Sequence, residues 1–170
     1  MSWHLTRVSF EKGCLFLIKN QEGLQKITYG KNKNPIKPIL EQYEKTNIHI
    51  SLSEQDFKLE TELFNRYFKG KPVDFSSLKI DFSAGTPFQK KIWNTTQKIP
   101  YGSMETYKSL AQKIGHKGYR SVGHALGKNP FLIAVPCHRV IKTDGSLGGF
   151  GAGLDLKKYL LQLEGTKIHT

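Results

Sequence analysis

"METYKSLAQKIGHKGYRSVGHALGKNP", residues 104–130, reads as two helices around a tight turn. Tyr107, Leu110, Ala111 and Ile114 recur at the spacing of one helix face. Residues 115–118 begin and end in glycine and form the turn. "YRSVGHALGKN" (119–129) then allows a second helix with Val122, Ala125 and Leu126 facing in. Asn129 precedes Pro130, and a residue before proline avoids helical geometry, so the helix stops there. A helix, a tight turn and a helix of this size make up DNA-reading helix-turn-helix units. As a major-groove reader the second helix is odd, because Ser121, Gly123, Ala125 and Gly127 are small. Gly123 and Gly127 each cost roughly 1 kcal/mol of helix stability relative to alanine. Small residues let a helix backbone come close to another helix, or to a nucleic-acid backbone or narrow groove. Arg120 is the long side chain left to reach outward.

Working outward, "TPFQKKIWNTTQKI" (86–99) is a helix with Thr86 as N-cap and Pro87 at its first position. Phe88, Ile92, Trp93 and Ile99 form its apolar stripe. "FSSLKIDFSAGTP" (75–87) before it is the boundary, which divides the chain into residues 1–80 and 81–170. The first unit opens with three strands, "HLTRVSF" (4–10), "CLFLIKN" (14–20) and "LQKITYG" (24–30). Gly13 and Gly23 mark their turns, so an antiparallel meander is expected. A polar helix follows in "NPIKPILEQYEKT" (34–46), with Pro35 near its start. "ETELFNRYFKG" (60–70) is another, with Leu63, Phe64, Tyr67 and Phe68 at helical spacing. After the helix pair, "FLIAVP" (131–136) reads as a buried strand or extended segment. "KTDGSLGGFGAGL" (142–154) is a glycine-rich loop. "LDLKKYLLQLEG" (154–165) is a final helix with Leu154, Leu156, Leu160 and Leu161 turned inward and Glu164 at its end. The fold class is α/β, more narrowly α+β. A small antiparallel sheet with flanking helices precedes a mostly helical unit containing a winged helix-turn-helix-like element.

The chain has 26 Lys and Arg against 14 Asp and Glu, a formal charge of +12. Residues 1–80 carry 13 basic and 9 acidic side chains, and residues 81–170 carry 13 and 5, so the excess leans toward the second half. Such a surface attracts nucleic acid, anionic membrane or acidic protein, or serves only to keep the chain soluble. No apolar run is long enough to span a bilayer. "MSWHLTRVSF" lacks a signal peptide's apolar segment, so a cytoplasmic chain is expected, or a nuclear one in a eukaryote. Cys14 and Cys137 match no disulfide framework and no zinc-ligand spacing. Cys14 lies in the second strand and reads as a small core residue.

Cys137 is different: "AVPCHRVIKTDG" (134–145) sets it beside His138. A thiol attacks as its thiolate, which is scarce at neutral pH near an ordinary pKa of ~8.5. A histidine can accept the proton and is itself oriented by a carboxylate. Immediate neighbours on a strand point to opposite sides, so His138 need not touch Cys137 directly. Acidic residues in the second half are few: Asp81, Glu105, Asp144, Asp155 and Glu164. Glu164 closes an otherwise apolar helix and is the candidate partner, while Asn129 can position the chain or a water.

"IAVPCHRVI" resembles the active-site signature of the O6-alkylguanine-DNA alkyltransferases, the methylated-DNA–protein-cysteine methyltransferases. The similarity runs in order through "TPFQKKIW", "IPYGSMETYKSLA", "RSVGHALGKNP", "DGSLGGFGAGL" and "KKYLLQLEG", most of residues 85–165. The resemblance implies that Cys137 is the alkyl acceptor. It implies that His138 takes the thiol proton through a water, oriented by Glu164, with Asn129 completing the network. Tyr107 would contact the flipped guanine and a phosphate and donate a proton to the leaving base. Arg120 would fill the gap in the duplex, and Ser121 and Gly123 would lie along the minor groove. Val140, Phe150, Gly151 and Leu126 would line the guanine pocket. The partner would be double-stranded DNA carrying alkylated guanine, met by a monomer that can cooperate on DNA. No cofactor and no metal are expected, and no membrane is involved. O4-alkylthymine would be a second substrate. Family members often have tyrosine and serine where this chain has Phe150 and Gly151, which bears on bulky alkyl groups and inhibitors, not on the reaction. Relatives that bind alkylated DNA without repair lack the acceptor cysteine, and two cysteines cannot build the zinc domain of the adaptive-response regulators. The rival readings are a non-catalytic lesion binder or DNA-binding regulator, and a Cys-His hydrolase.

Overall fold

The computed structural model describes residues 2–31 and 36–167. Strands β1 (Trp3–Phe10), β2 (Gly13–Asn20) and β3 (Gly23–Gly30) pair antiparallel in chain order, the expected meander. Gly13 makes the first turn at φ 144°, where any Cβ would collide with the Gly30 carbonyl. A short fourth strand, β4 (Ile50–Leu52), lies parallel to β1, so the sheet order is β3-β2-β1-β4. The sequence reading did not contain β4.

Alternation along β2 explains why this strand is buried on both faces. Cys14, Phe16 and Ile18 join Leu5 in a small apolar cluster packed by Ile39, Leu40 and Tyr43 of α1 (Ile36–Glu44). Leu15 and Leu17 point the other way, into the main core with Leu63, Phe64 and Tyr67 of α2 (Lys58–Phe68). Pro35, expected at the start of α1, lies outside the described residues.

The second half is built on α3 (Pro87–Gln97), α4 (Tyr107–Lys113), α5 (Tyr119–Gly127) and α6 (Leu154–Leu163). Thr86 accepts from Gln89 N at 3.2 Å and Gln89 Oε1 accepts from Thr86 N at 2.9 Å, a reciprocal cap that fixes where α3 begins. Trp93 Nε1 donates to the Ala125 carbonyl at 2.9 Å and ties α3 to α5. Two short parallel strands, β5 (Glu105–Thr106) and β6 (Val140–Ile141), bracket the helix pair.

Two expectations are corrected. Residues 131–136 do not form a strand: they make isolated bridges and a tight turn in which Ile133 adopts φ 70°. An apolar run shows no periodicity that separates a strand from a buried turn. Leu154, expected inside, is 47% exposed, because it opens α6 ahead of the buried run of Leu156, Lys157, Leu160 and Leu161.

The core is continuous across residue 80. The amide of Leu24 donates to Lys79 O and that of Ile27 to Pro130 O, both at 2.8 Å. The outer edge of β3 is thereby seated against the segment leading to Cys137, and Ile27, Phe131, Tyr67 and Leu160 share one apolar cluster.

Candidate active site

The turn at residues 132–135 delivers Cys137. Holding a β-branched residue at positive φ costs on the order of 1–3 kcal/mol and persists only where neighbours enforce it. Asn129 is one such neighbour. Its Oδ1 accepts from Phe131 N at 2.9 Å, and its Nδ2 donates to Val135 O at 2.9 Å and to Cys137 Sγ at 3.3 Å. One amide thus straps the turn and holds the thiol.

Residues Cys137–Arg139 form a single 3-10 turn. His138 is buried, and its Nε2 lies 2.7 Å from Glu164 Oε1. Among the described residues no hydrogen bond joins the Cys137 and His138 side chains, and His138 Nδ1 is buried without a protein partner. The two residues stand on a 3-10 turn and not on a strand, so strand alternation does not set their relative directions. Glu164 also receives Arg139, Nε to Oε2 at 2.9 Å and an Nη to Oε1 at 3.0 Å. Arg139 Nη1 donates to Ile99 O at 2.6 Å, so this guanidinium is satisfied inside the protein. Gly102 N adds a bond of 3.2 Å to Glu164 Oε2, and the Tyr67 hydroxyl one of 2.6 Å to Oε1.

These environments set the resting charges. Burial pushes the Cys137 thiol up, against the Asn129 bond and the Lys157 charge. Burial pushes His138 down, against the opposing pull of Glu164. For Glu164, burial works upward, but the hydrogen bonds of His138 and Arg139 and the Arg139 charge prevail and hold it well below the usual carboxylate range. The site therefore rests as a neutral thiol and a neutral imidazole beside an ionised carboxylate.

Cys137 faces a cavity of about 410 Å³ lined by Tyr107, Tyr119, Arg120, Leu126, Phe150 and the backbone of the glycine-rich loop, among others. A second cavity of about 270 Å³ meets the thiol from the β3 side and shares Leu126, Phe150 and Gly151 with the first. Tyr107 donates weakly to Gly149 O at 3.4 Å, and burial raises its hydroxyl pKa, so it stays protonated. The loop passes close beneath it: Gly148 sits at φ 70°, and a Cβ there would stand 2.9 Å from the Tyr107 ring. Lys157 holds the loop from below, its ammonium donating to the carbonyls of Val140, Leu147 and Gly149, while burial pushes it down to about 8.

The structure brings together Cys137, His138, Glu164 and Asn129, and places Tyr107, Arg120, Gly123, Leu126, Phe150 and Gly151 around the first cavity. Ser121 faces solvent, donating to Gly118 O at 2.7 Å and lying 2.6 Å from His116 Nε2. Val140, expected to line the pocket, is fully buried: β6 pairs it with Glu105, and its carbonyl accepts from Lys157 at 2.7 Å. Sequence reasoning missed Arg139, Lys157 and the Tyr67 hydroxyl. Arg139 stood inside the apolar run around the cysteine, and Lys157 stands seven residues, two helical turns, before Glu164. Neither position shows that the cation is buried, and no local signal marks Tyr67.

The family model of the 6-O-methylguanine DNA methyltransferase DNA-binding domain matches residues 87–166. A methylated-DNA–protein-cysteine methyltransferase of Methanosarcina barkeri is 39% identical over 89% of this chain and 90% of its own length. The inducible methylated-DNA–protein-cysteine methyltransferase of Bacillus subtilis is 36% identical over 95% of this chain and 89% of its own. The crystal structure of Mycobacterium tuberculosis OGT in complex with DNA superposes with a TM-score of 0.80 at 31% identity, covering 95% of this chain and 93% of that one. With the relatives spanning both halves, and with the matched segment holding the strapped thiol, its buried histidine and the helix pair, the chain belongs to the methylated-DNA–protein-cysteine methyltransferase family.

Proposed function

We propose that this protein repairs DNA by moving an alkyl group, methyl above all, from O6 of guanine to its own Cys137, once per molecule. The observation that carries the reading is the thiol itself, strapped by Asn129, set beside a buried His138–Glu164 pair, and opening on a cavity behind the helix pair. An alkyl group on guanine O6 lies inside the stacked duplex, so the nucleotide must be extruded, at a few kcal/mol. Arg120, on the rim of the cavity, fills the vacated space, and α5 offers its small residues to the minor groove.

In the transfer, His138 Nδ1 takes the thiol proton, through a bridging water, as Glu164 stabilises the imidazolium. The S–C bond forms as the C–O6 bond breaks, and the electron pair passes into the guanine ring. Tyr107 supplies the proton that neutralises the leaving base. The product is a thioether, which water does not cleave, so the protein is consumed and does not turn over. Residues 81–170 act as the DNA-binding and acceptor unit, and residues 1–80 brace it. Phe150 and Gly151 form the wall nearest the alkyl group, and O4-alkylthymine is a second substrate. The protein works as a monomer in the compartment that holds the DNA, the cytoplasm or, in a eukaryote, the nucleus.

Incubation with duplex containing methylated guanine adds about 14 Da to the peptide bearing Cys137, the mass of one CH2 as S–H becomes S–CH3. An unmodified peptide with tight binding of the lesion supports the non-catalytic binder instead.

A further inference from the structure

Tyr67 belongs to α2, in the half of the chain that carries no signature motif, and it is fully buried. Its ring packs edge-on against Phe68 and Tyr101, which accounts for its burial. Packing does not account for where its hydroxyl points. That hydroxyl donates to Glu164 Oε1 at 2.6 Å and lies 3.3 Å from His138 Nε2. Oε1 therefore gathers Tyr67, His138 and Arg139, while Oε2 takes Arg139 and Gly102.

A hydroxyl has one hydrogen to donate. Given to Glu164, it shares Oε1 with His138, and because the ionised carboxylate only accepts, Nε2 carries its hydrogen toward Oε1 and Nδ1 keeps the lone pair.

We propose that Tyr67 is a positioning residue of the acceptor site, whose hydroxyl, donated to Glu164, holds Oε1 on His138 Nε2 and sets how firmly the imidazole keeps the proton it takes from Cys137. The inference rests on the alkyl-transfer reading above and adds a part for the first half of the chain. The charged and titratable groups facing this trio are Cys137 and Arg139 on the same turn, Lys157 on α6 and Tyr101 after α3. Arg139 and Lys157 oppose a positive His138, and Glu164 favours it. Tyr67 acts on this balance as well. A donor lowers a carboxylate's basicity, so its loss leaves Glu164 a stronger partner for the imidazolium, and His138 holds a proton to higher pH.

Tyr67→Phe keeps the ring and removes the hydroxyl. Single-turnover transfer from methylated duplex, read as mass on the Cys137 peptide of the intact protein, is followed from about pH 5 to 9, the range in which an imidazole base titrates. The expected result is a rate about tenfold lower at the plateau, an acid limb moved to higher pH, and unchanged affinity for the duplex. Nitrogen NMR of His138 is expected to show the imidazolium persisting to higher pH in the variant than in the wild type. A ring-fluorinated tyrosine at the same position, a stronger donor of equal shape, is expected to move the acid limb the opposite way. A wild-type rate and pH profile in Tyr67→Phe, whatever its melting temperature, or a fluorotyrosine form with an unmoved limb, overturns the proposal and leaves Tyr67 as packing. Failure of the parent reading looks different: the wild type itself then acquires no adduct.

Discussion

Cys14 and Cys137 have the same side chain in two settings, and burial raises the pKa of both. Cys14 sits in the middle of the sheet, opposite Ser9 on one side and Gly30 on the other, with its Sγ 3.8 Å from the Gly30 carbonyl. Its backbone is committed to two ladders and its side chain to an apolar cluster. Cys137 begins a 3-10 turn, between two cavities, with an amide donor on its sulfur and a histidine–glutamate pair behind it. Desolvation alone does not make a nucleophile; it suppresses the thiolate in both places. What separates the two thiols is access and a neighbouring buried imidazole paired with a carboxylate.

The sharpest break of this comparison is Cys137→Ala. All transfer is expected to vanish, with no adduct moving to Cys14, as peptide mass mapping checks. Next comes Glu164→Ala, which leaves the Arg139 guanidinium buried without its carboxylate. Breaking a buried pair this way costs on the order of 3–5 kcal/mol, measurable by urea unfolding, and loss of the oriented base slows transfer on the order of a hundredfold. Arg120→Ala is expected to cut repair in duplex about tenfold, roughly 1.4 kcal/mol of barrier, while alkylation by a free guanine analogue is unchanged. Equal losses on both substrates would remove Arg120 from its gap-filling role. Cys14→Ala is expected to cost about 1 kcal/mol through a small cavity and to leave the rate of adduct formation as it was.

The smallest effect is the pH dependence of stability. The folded state lowers the His138 pKa, so below the unfolded value of ~6.5 the unfolded chain takes up a proton that the fold resists, and stability falls with pH. Glu164 contributes stability that is present above its unfolded value of ~4.3 and lost as pH falls toward its lower folded value. Chemical denaturation in steps from neutral to acid pH reads both. His138→Gln removes the first slope, and retention of that slope would assign it to another group.

The same contrast shows what could be read from the chain alone. The meander was legible because Gly13 and Gly23 bracket alternating β-branched stretches, and the helix pair because residues 107–114 and 119–129 keep one apolar face each. β4 was not, since three residues hold too little pattern and its partner β1 lies far back in the sequence. Nor was the turn at Ile133, whose positive φ is imposed by Asn129 and the surrounding core, not by any turn residue of its own. At the site, Cys137, His138, Asn129 and Glu164 were legible from residue type and position. Arg139 and Lys157 were lost among many basic residues, because whether a cation is buried depends on acceptors supplied from elsewhere, here Glu164, Ile99 and Val140. Tyr67 was correctly placed on a buried helix face, but its hydroxyl's partner is 97 residues away.

The Glu164 carboxylate draws its donors from Tyr67, Gly102, His138 and Arg139, stretches of chain that meet only when the whole fold has closed. Without any one of them the carboxylate beside His138 loses a donor. The surroundings of the thiol are in this way a property of the whole chain and not of the segment that carries it.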